Sequence, residues 1–263
     1  MFKPLLDFEP ELIVPDWPAP ACVRAYSTTR RGGVSAPPYG EFNLAAHVGD
    51  DVHGVRENRA RLAARLDLPA PPLWLDQVHG ARVVDAAATD ATPQADAAYT
   101  SAPRTVCAVL TADCLPLLLC DRAGTRVAAV HAGWRGLAAG VIEATLRAMQ
   151  MPGSELLAWM GPAIGPRAFE VGGEMRELFV RHDAHAARAF QPAPGQKWLA
   201  DIYQLARLRL AACGVHAVYG ARWCTVSDAR FYSYRRDGVT GRMATVIWME
   251  GVRGVRQPSA GEA

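Results

Sequence analysis

The fold of this chain is decided by Thr111-Ala-Asp-Cys-Leu-Pro-Leu-Leu-Leu-Cys-Asp121, followed after a short turn by Val127-Ala-Ala-Val-His-Ala-Gly-Trp-Arg-Gly136. Each stretch contains an apolar run that is too short for a helix and too hydrophobic for a surface strand. The runs border on side chains that can do chemistry, Asp113 and Cys114 in the first and His131 in the second. This pattern is typical of a buried sheet with a reactive site at the ends of its strands.

Three runs of this region predict central strands, at Val106–Leu110, Leu115–Cys120 and Val127–Val130. They lack the alternation of apolar and polar residues that marks a strand with one solvated face, so we expect both faces to be covered by other elements. Helical patterns follow and precede these runs along the chain. We expect function at the strand ends.

Helical periodicity extends from Asp50 to Leu68 and again over Leu137–Met149, where the bend that follows His131 turns into a helix. The segment Ala200–Cys213 predicts an amphipathic helix with Arg209 on its outer face. Leu73–Gly80 predicts a strand that runs into a turn and returns along Val83–Val84.

The sequence favours one catalytic domain over residues 23–250, preceded by an extended segment at 1–22 and followed by a disordered tail at 251–263. Half of the 263 residues are hydrophobic, which is enough for a large core. A net charge of +2 with interspersed signs gives no basic stripe for nucleic acid, and no apolar run is long enough to span a membrane. We therefore expect a soluble, cytoplasmic monomer whose six cysteines are reduced.

Two imidazoles and a thiol, His79, Cys114 and His131, are a suitable ligand set for zinc. Three protein ligands would leave one coordination position open, as catalysis requires. Spacing alone does not show that the three converge, and each is individually compatible with a structural role. The competing interpretation is a Cys–His nucleophile, with Cys114 activated by His131 and oriented by Asp113.

Copper-dependent polyphenol oxidation is disfavoured by the number of histidines. A multicopper centre needs about ten histidines, many of them in His-x-His pairs, whereas this chain has seven and no such pair. The His-x-Glu and Pro-Cys-x-x-Cys signature of zinc base deaminases is also absent.

The sequence closely resembles the YfiH family, also described as the laccase domain-containing or polyphenol oxidase family. The resemblance extends from about Ala25 to Met249 and is carried by Ser27-Thr-Thr-Arg-Arg-Gly-Gly-Val-Ser, Asn43-Leu-Ala-Ala-His-Val-Gly-Asp, Asp76-Gln-Val-His-Gly, Ala95-Asp-Ala, Thr111-Ala-Asp-Cys-Leu-Pro, Val130-His-Ala-Gly-Trp-Arg-Gly, Gly161-Pro-Ala-Ile-Gly, Leu199-Ala-Asp and Tyr234-Arg-Arg-Asp.

This resemblance implies a single α/β domain with layered mixed β-sheets and flanking helices, similar to the catalytic domain of cytotoxic necrotizing factor. It also implies zinc held by His79, Cys114 and His131. It implies phosphorolysis of purine nucleosides (adenosine, inosine and 5′-methylthioadenosine), with phosphate as co-substrate, and hydrolytic deamination of adenosine. The alternatives are a Cys–His hydrolase, a peptidoglycan-precursor editing factor and a copper-dependent oxidase.

Phosphorolysis needs a site that holds an anion, and guanidinium groups match phosphate oxygens. Arg30, Arg135 and Arg235 lie in family motifs and are the candidates. Arg30 belongs to a loop rich in glycine and proline that could bind an anion, although such a loop is also typical of a solvated turn. Each of the three could instead form a surface ion pair.

Three further motif residues have candidate roles. Asp113 is the acid nearest in sequence to Cys114 and would protonate the ammonia that leaves during deamination. Asn43 and Gln77 would bind the base or the sugar through their amide groups, or else cap loops.

Overall fold

The computed structural model describes residues 11–89 and 91–251. Within these residues the strands are β1 (Leu12–Ile13), β2 (Val23–Thr28), β3 (Val83–Asp85), β4 (Ala97–Thr100), β5 (Cys107–Thr111), β6 (Leu115–Asp121), β7 (Val127–Ala132), β8 (Leu156–Met160), β9 (Glu170–Val171), β10 (Phe190–Ala193), β11 (Lys197–Ala200), β12 (Ala217–Gly220) and β13 (Met243–Met249). The α-helices are α1 (Val52–Leu66), α2 (Trp134–Ala139), α3 (Val141–Met149), α4 (Gly173–His182), α5 (Ile202–Ala212) and α6 (Tyr234–Asp237). None of the helices found there is long and apolar enough to cross a bilayer.

The strands form three sheets. The largest has the order β12-β8-β6-β7-β4-β3, a second has the order β1-β2-β13-β5, and a small one has the order β10-β11-β9. The large sheet is mixed, because β12 pairs with β8 and β3 pairs with β4 in parallel, while its other pairs are antiparallel. The predicted α/β fold with mixed sheets and flanking helices is confirmed.

The apolar run of β6 lies between two cores. Leu117 and Leu119 face the helical side of the large sheet and share a cluster with residues of α2, α3 and α5. Leu118 and Cys120 point the other way and pack with residues of β2, β5 and β13 from the second sheet. Side chains alternate across a strand, so a strand covered on both faces must be apolar throughout, as the sequence predicts.

The second sheet carries its own helix on its far side. Leu62 of α1 shares a cluster with Ala244 and Val246 of β13 and with Phe42. The layers are therefore helices α2, α3 and α5, then the large sheet, then the second sheet, then α1. The Asp51 side chain caps α1 by accepting hydrogen bonds from the backbone of His53 and Gly54, which matches the predicted helix start.

The helix predicted over Leu137–Met149 is in fact two helices. Gly140 has a φ of 85° and ends α2 before α3 begins at Val141. This left-handed conformation suits glycine because it has no Cβ. The apolar spacing continues across the break, which is why periodicity did not reveal it.

The strand predicted over Leu73–Gly80 is also wrong. Within this segment Leu73 makes an isolated bridge with Cys107, and Asp76 makes one with Gln94. The return strand β3 does not pair with this segment and instead pairs in parallel with β4. The reason is a side chain that takes the place of a backbone ladder. The Gln77 amide donates to the Leu110 carbonyl at 2.8 Å and accepts from the Leu110 N–H at 2.7 Å.

Arg209 was predicted on the outer face of its helix but is buried. Its guanidinium donates to Glu143 Oε1 at 2.9 Å and contacts His182 Nε2 at 2.8 Å. A buried guanidinium needs such partners. The charge pattern of α5 alone did not show that α3 supplies a matching carboxylate.

The predicted extended segment at 1–22 contains a short strand. Leu12 and Ile13 pair with Thr28 and Ser27 at the edge of the second sheet. This part of the segment therefore belongs to the sheet, while residues 1–10 lie outside the described residues. Apart from Gly251, the tail predicted to be disordered lies outside them as well.

Replacing Leu118 by Ala should lower the free energy of unfolding by about 2–5 kcal/mol, because the side chain is fully buried between the two sheets and its removal leaves a cavity. Urea denaturation in the presence of a chelator would measure this loss. The control is Val239→Ala, at an exposed position, which should change stability by less than about 0.5 kcal/mol. An equally small loss for both variants would show that β6 is not a central strand.

Candidate active site

The three predicted ligands are brought together by the register of the central strands. Cys114 directly precedes β6, and His131 lies near the end of β7, where it is opposite Pro116 in the antiparallel pair. His79 comes from the turn before β3 and has a φ of 61°. The nitrogen and sulfur donor atoms of His79, Cys114 and His131 all lie within 4.8 Å of one another.

Asp96 holds both histidines in place. It is fully buried, and its Oδ1 accepts hydrogen bonds from His131 Nδ1 and from the backbone N–H of His79, both at 2.8 Å. Its Oδ2 accepts from the Gly80 N–H at 2.6 Å. With Nδ1 bonded to the carboxylate, His131 presents Nε2 to the cluster, an arrangement that is common around metal-binding histidines.

The cluster is compatible with a metal site. Cys114 Sγ lies 3.8 Å from His79 Nε2, close to the distance of about 3.5 Å expected between a nitrogen and a sulfur ligand in a tetrahedral zinc site. A Cβ at Gly133 would lie 2.9 Å from Cys114 Sγ and 3.1 Å from a carbon of the His79 ring. Only glycine fits there without displacing the donors. A tetrahedral ion held by these three residues would have one position left for a ligand.

Cys114 and His131 stabilise each other's charged forms in the absence of a metal. Burial by itself raises the pKa of the Cys114 thiol, but the charge of His131 and hydrogen bonds from both histidines outweigh burial and lower it. Burial likewise opposes protonation of His131, yet the charge of Cys114 and the bond to Asp96 raise its pKa. By contrast, burial raises the pKa of the Cys107 and Cys120 thiols. The lowered pKa sets Cys114 apart from these core cysteines and favours its thiolate, the form that binds a metal, whereas the raised pKa of His131 means that a metal must displace a proton from its imidazole.

The cluster opens into a pocket with a volume of about 340 Å³. Part of its lining is apolar and is formed by Leu110, Ala112, Trp134, Ile164, Phe169 and Ile202. Three arginines, Arg135, Arg235 and Arg242, also line it, together with His47, Gln77, Thr111, Asp113 and Tyr234. A pocket that combines aromatic walls, cationic groups and a possible metal suits a small polar ligand with an aromatic part.

Two of the candidate residues in the pocket are engaged by neighbours. Asp113 Oδ1 accepts from the Thr225 hydroxyl at 2.5 Å, and Oδ2 accepts from the Arg235 backbone N–H at 2.7 Å. Asp113 has a φ of 87°, so its backbone takes a left-handed turn just before Cys114. The Gln77 amide is occupied by Leu110, as described above.

Two of the three candidate arginines, Arg135 and Arg235, line the pocket, and they are held by different contacts. The Arg135 guanidinium lies 4.5 Å from the centre of the Trp134 ring. Arg235 donates through Nη1 to the carbonyls of Glu170 and Ala168, at 3.0 and 3.4 Å.

Arg30 and Asn43 are not among the residues that line the pocket. Arg30 donates to the Gly40 carbonyl at 2.9 Å and its guanidinium lies 4.8 Å from the centre of the Tyr232 ring. Asn43 is fully buried and its amide bonds Ala45, Asp50 and the Arg242 backbone. The loop-capping alternative describes Asn43 well.

Asp96, His47 and Arg242 belong to the site although no role for them is predicted from the sequence. Asp96 lies in the family motif Ala95-Asp-Ala and His47 in the motif Asn43-Leu-Ala-Ala-His. For Asp96 the sequence also offers a second indication, because this carboxylate directly precedes a buried strand. Arg242 had no comparable signal, because it belongs to an ordinary segment before β13 and reaches the pocket only through the tertiary fold.

Comparison with known families gives an independent result. The sequence model of the family described as multi-copper polyphenol oxidoreductase laccase matches residues 24–250. The purine nucleoside phosphorylase PA4543 of Pseudomonas aeruginosa is 58% identical over 241 residues, which cover 90% of this chain and 98% of that protein. The purine nucleoside phosphorylase YfiH of Escherichia coli is 57% identical, with 91% and 99% covered.

Solved structures share the fold. The Neisseria meningitidis protein NMB0706 superimposes with a TM-score of 0.88 at 50% identity, over 91% of this chain and 99% of that one. YlmD from Geobacillus stearothermophilus gives 0.84 at 30% identity, over 93% and 99%.

Replacing Asp96 by Asn should weaken metal binding by about 10- to 100-fold, because the neutral amide no longer fixes His131 in the tautomer that presents Nε2. Competition with a chromophoric zinc chelator would measure the dissociation constant on protein whose fold is checked by circular dichroism. Asp67→Asn removes the same charge from an exposed helix end and serves as the control. Equal zinc affinity in both variants would contradict the role given to Asp96.

Proposed function

Because the chain belongs to the YfiH family, whose sequence model is described as multi-copper polyphenol oxidoreductase laccase, we propose that it is a zinc-dependent purine nucleoside phosphorylase. The observation that carries this proposal is the His79–Cys114–His131 cluster beside a pocket that has aromatic walls and three arginines. Adenosine, inosine and 5′-methylthioadenosine are the proposed substrates, with phosphate as the co-substrate.

The pocket supports a nucleoside as ligand. Its volume of about 340 Å³ lies at the low end of the range for small-molecule sites, about 300–1,000 Å³, as suits a ligand of this size. Trp134 and Phe169 supply aromatic surface against which a purine can pack. Each ring also contacts a guanidinium group, that of Arg135 at 4.5 Å and that of Arg235 at 5.7 Å. The ribose would then lie towards the polar side of the pocket.

In the proposed reaction, an oxygen of phosphate forms a bond to C1′ of the ribose while the bond from C1′ to the purine nitrogen breaks. The electron pair of that bond stays on the purine, which takes up one proton and leaves as the free base. The other product is ribose 1-phosphate. The protein must therefore hold a doubly charged anion next to the sugar, and Arg135 and Arg235 supply positive charge for this purpose.

His79, Cys114 and His131 would hold the zinc ion, which supplies Lewis acidity and positive charge at one corner of the pocket when bound. Two imidazoles and a thiolate are typical zinc ligands. Among residues 11–89 and 91–251 this is the single group of three or more possible ligands that meets, whereas a multicopper oxidase needs several histidine-rich centres. Copper-dependent polyphenol oxidation is therefore the weaker alternative.

Adenosine deaminase activity is the second part of the proposal. In the part of the chain that the structure describes, Asp113 is the one carboxylate residue that lines the pocket, which favours it as the proton donor to the leaving ammonia. The net change would replace the amino group of adenosine by an oxygen from water, with release of ammonia and formation of inosine.

Cys114→Ala and His131→Ala should each lower phosphate-dependent release of adenine from adenosine by at least about 100-fold, because each removes a ligand from the reaction site. Chromatography of the free base would measure the rate. Cys213→Ala, at a cysteine outside the pocket, should keep the wild-type rate. Unchanged adenine release in the two folded site variants would refute the site assignment.

Metal removal separates the alternatives. A zinc enzyme loses turnover on chelation and regains it when zinc is returned. A Cys–His hydrolase that uses Cys114 as nucleophile would keep its activity without metal, and a copper oxidase would regain activity with copper alone. A peptidoglycan-precursor editing factor would act on muropeptide precursors and leave adenosine unchanged.

A further inference from the structure

Arg242 is the least exposed of the three arginines that line the pocket. Its side chain is half-buried, whereas Arg135 and Arg235 are exposed. A charge in a less hydrated part of a pocket interacts more strongly with a bound anion, because water screens it less. The charge of Arg242 is therefore less screened by water than the charges of Arg135 and Arg235.

Arg242 is fixed from both ends. Its Nη1 donates to the carbonyls of Thr240 and Gly241 at 2.8 and 2.9 Å. Its backbone N–H donates to Asn43 Oδ1 at 2.9 Å. The guanidinium is therefore oriented before any ligand arrives, so that little side-chain entropy is lost on binding. This contact also gives Asn43 a place in the site as a support.

Arg242 forms no salt bridge within the described residues, although the charges of Cys114 and Asp113 act on it from a longer distance. Among residues 11–89 and 91–251, no acidic oxygen lies within 4.0 Å of its guanidinium. Arg230 and Arg236, by contrast, pair with Asp228 and Asp237 at 2.8 and 2.7 Å. A half-buried arginine that lines a pocket and has no salt-bridge partner can hold an anionic ligand.

Arg235 is held in a similar way. Both Arg235 and Arg242 are attached to a pair of backbone carbonyls through Nη1. In the described part of the chain their Nη2 and Nε groups have no hydrogen-bond acceptor, so these donors remain for a ligand. A guanidinium group matches the oxygens of a tetrahedral oxyanion, and this pocket is lined by two such groups that are held in place.

We propose that Arg242 is the main anchor of a phosphate-binding subsite in this pocket, with Arg235 as its second arm. This inference rests on the proposed phosphorolysis, for which it names the residue that holds the co-substrate. The subsite binds inorganic phosphate beside the ribose. Arg30, which lies outside the pocket lining, is not part of it.

Replacing Arg242 by Gln should raise the KM for phosphate by at least about 10-fold, because charge-assisted hydrogen bonds to the anion are lost, while the KM for adenosine changes less than about 2-fold. Arg242→Lys keeps the charge and loses the forked geometry, so it should raise the KM for phosphate by a smaller factor. The matched control is Arg181→Gln, at an exposed position on α4, which should match the wild type.

Phosphate binding can also be measured without turnover, by ³¹P NMR line broadening of inorganic phosphate with the zinc-loaded protein. Binding that is lost in Arg242→Gln and retained in Arg181→Gln supports the subsite, even if the wild type releases no adenine and the proposed reaction is wrong. If the wild type releases adenine and Arg242→Gln has an unchanged KM for phosphate, the reaction stands and the subsite is refuted.

A nucleotide phosphoryl group has the same chemistry as inorganic phosphate, so adenosine 5′-monophosphate is the second probe. Weaker binding of this nucleotide to Arg242→Gln, with unchanged binding of inorganic phosphate, would overturn the proposal. Arg242→Lys separates loss of charge from a folding defect. If the charge of Arg242 acts on the anion, this variant binds phosphate more tightly than Arg242→Gln, and equally weak binding by both variants would contradict the proposal.

Discussion

The candidate site depends on one buried carboxylate. Asp96 precedes β4, bonds the imidazole of His131 on β7, and bonds the backbone of the turn that carries His79. A buried charge is costly unless it is fully hydrogen-bonded, and the N–H groups of His79, Gly80 and His131 meet this requirement. The interaction that stabilises the charge also orients the two histidines.

The layered sheets explain why the site lies where it does. Both faces of β6 and β7 are buried, so polar side chains can reach solvent only at the strand ends. The antiparallel pair brings the start of β6 next to the end of β7, which places Cys114 and His131 side by side. Gly133 then lets the chain pass close to the donors, where a Cβ would collide with Cys114 Sγ. The rigid sheet thus positions groups that must not move.

Local patterns in the sequence predicted part of this arrangement. Continuous apolar runs revealed the central strands, and ligand chemistry selected His79, Cys114 and His131. The break at Gly140 was missed because apolar spacing continues through it. The segment from Leu73 to Gly80 was misjudged because the Gln77 side chain replaces a strand ladder. Arg242 gave no local signal, since only the tertiary fold brings it to the pocket.

A common physical theme connects the metal cluster and the arginines. Asp96 fixes the histidines, and backbone carbonyls fix Arg235 and Arg242, so the groups that would contact a nucleoside and phosphate are oriented before binding. The metal is the part on which the proposed chemistry depends most. A zinc-edge anomalous difference map from crystals of the purified protein should show a peak about 2.0–2.3 Å from His79 Nε2, Cys114 Sγ and His131 Nε2. A map with no zinc peak at this cluster would contradict the proposed zinc enzyme.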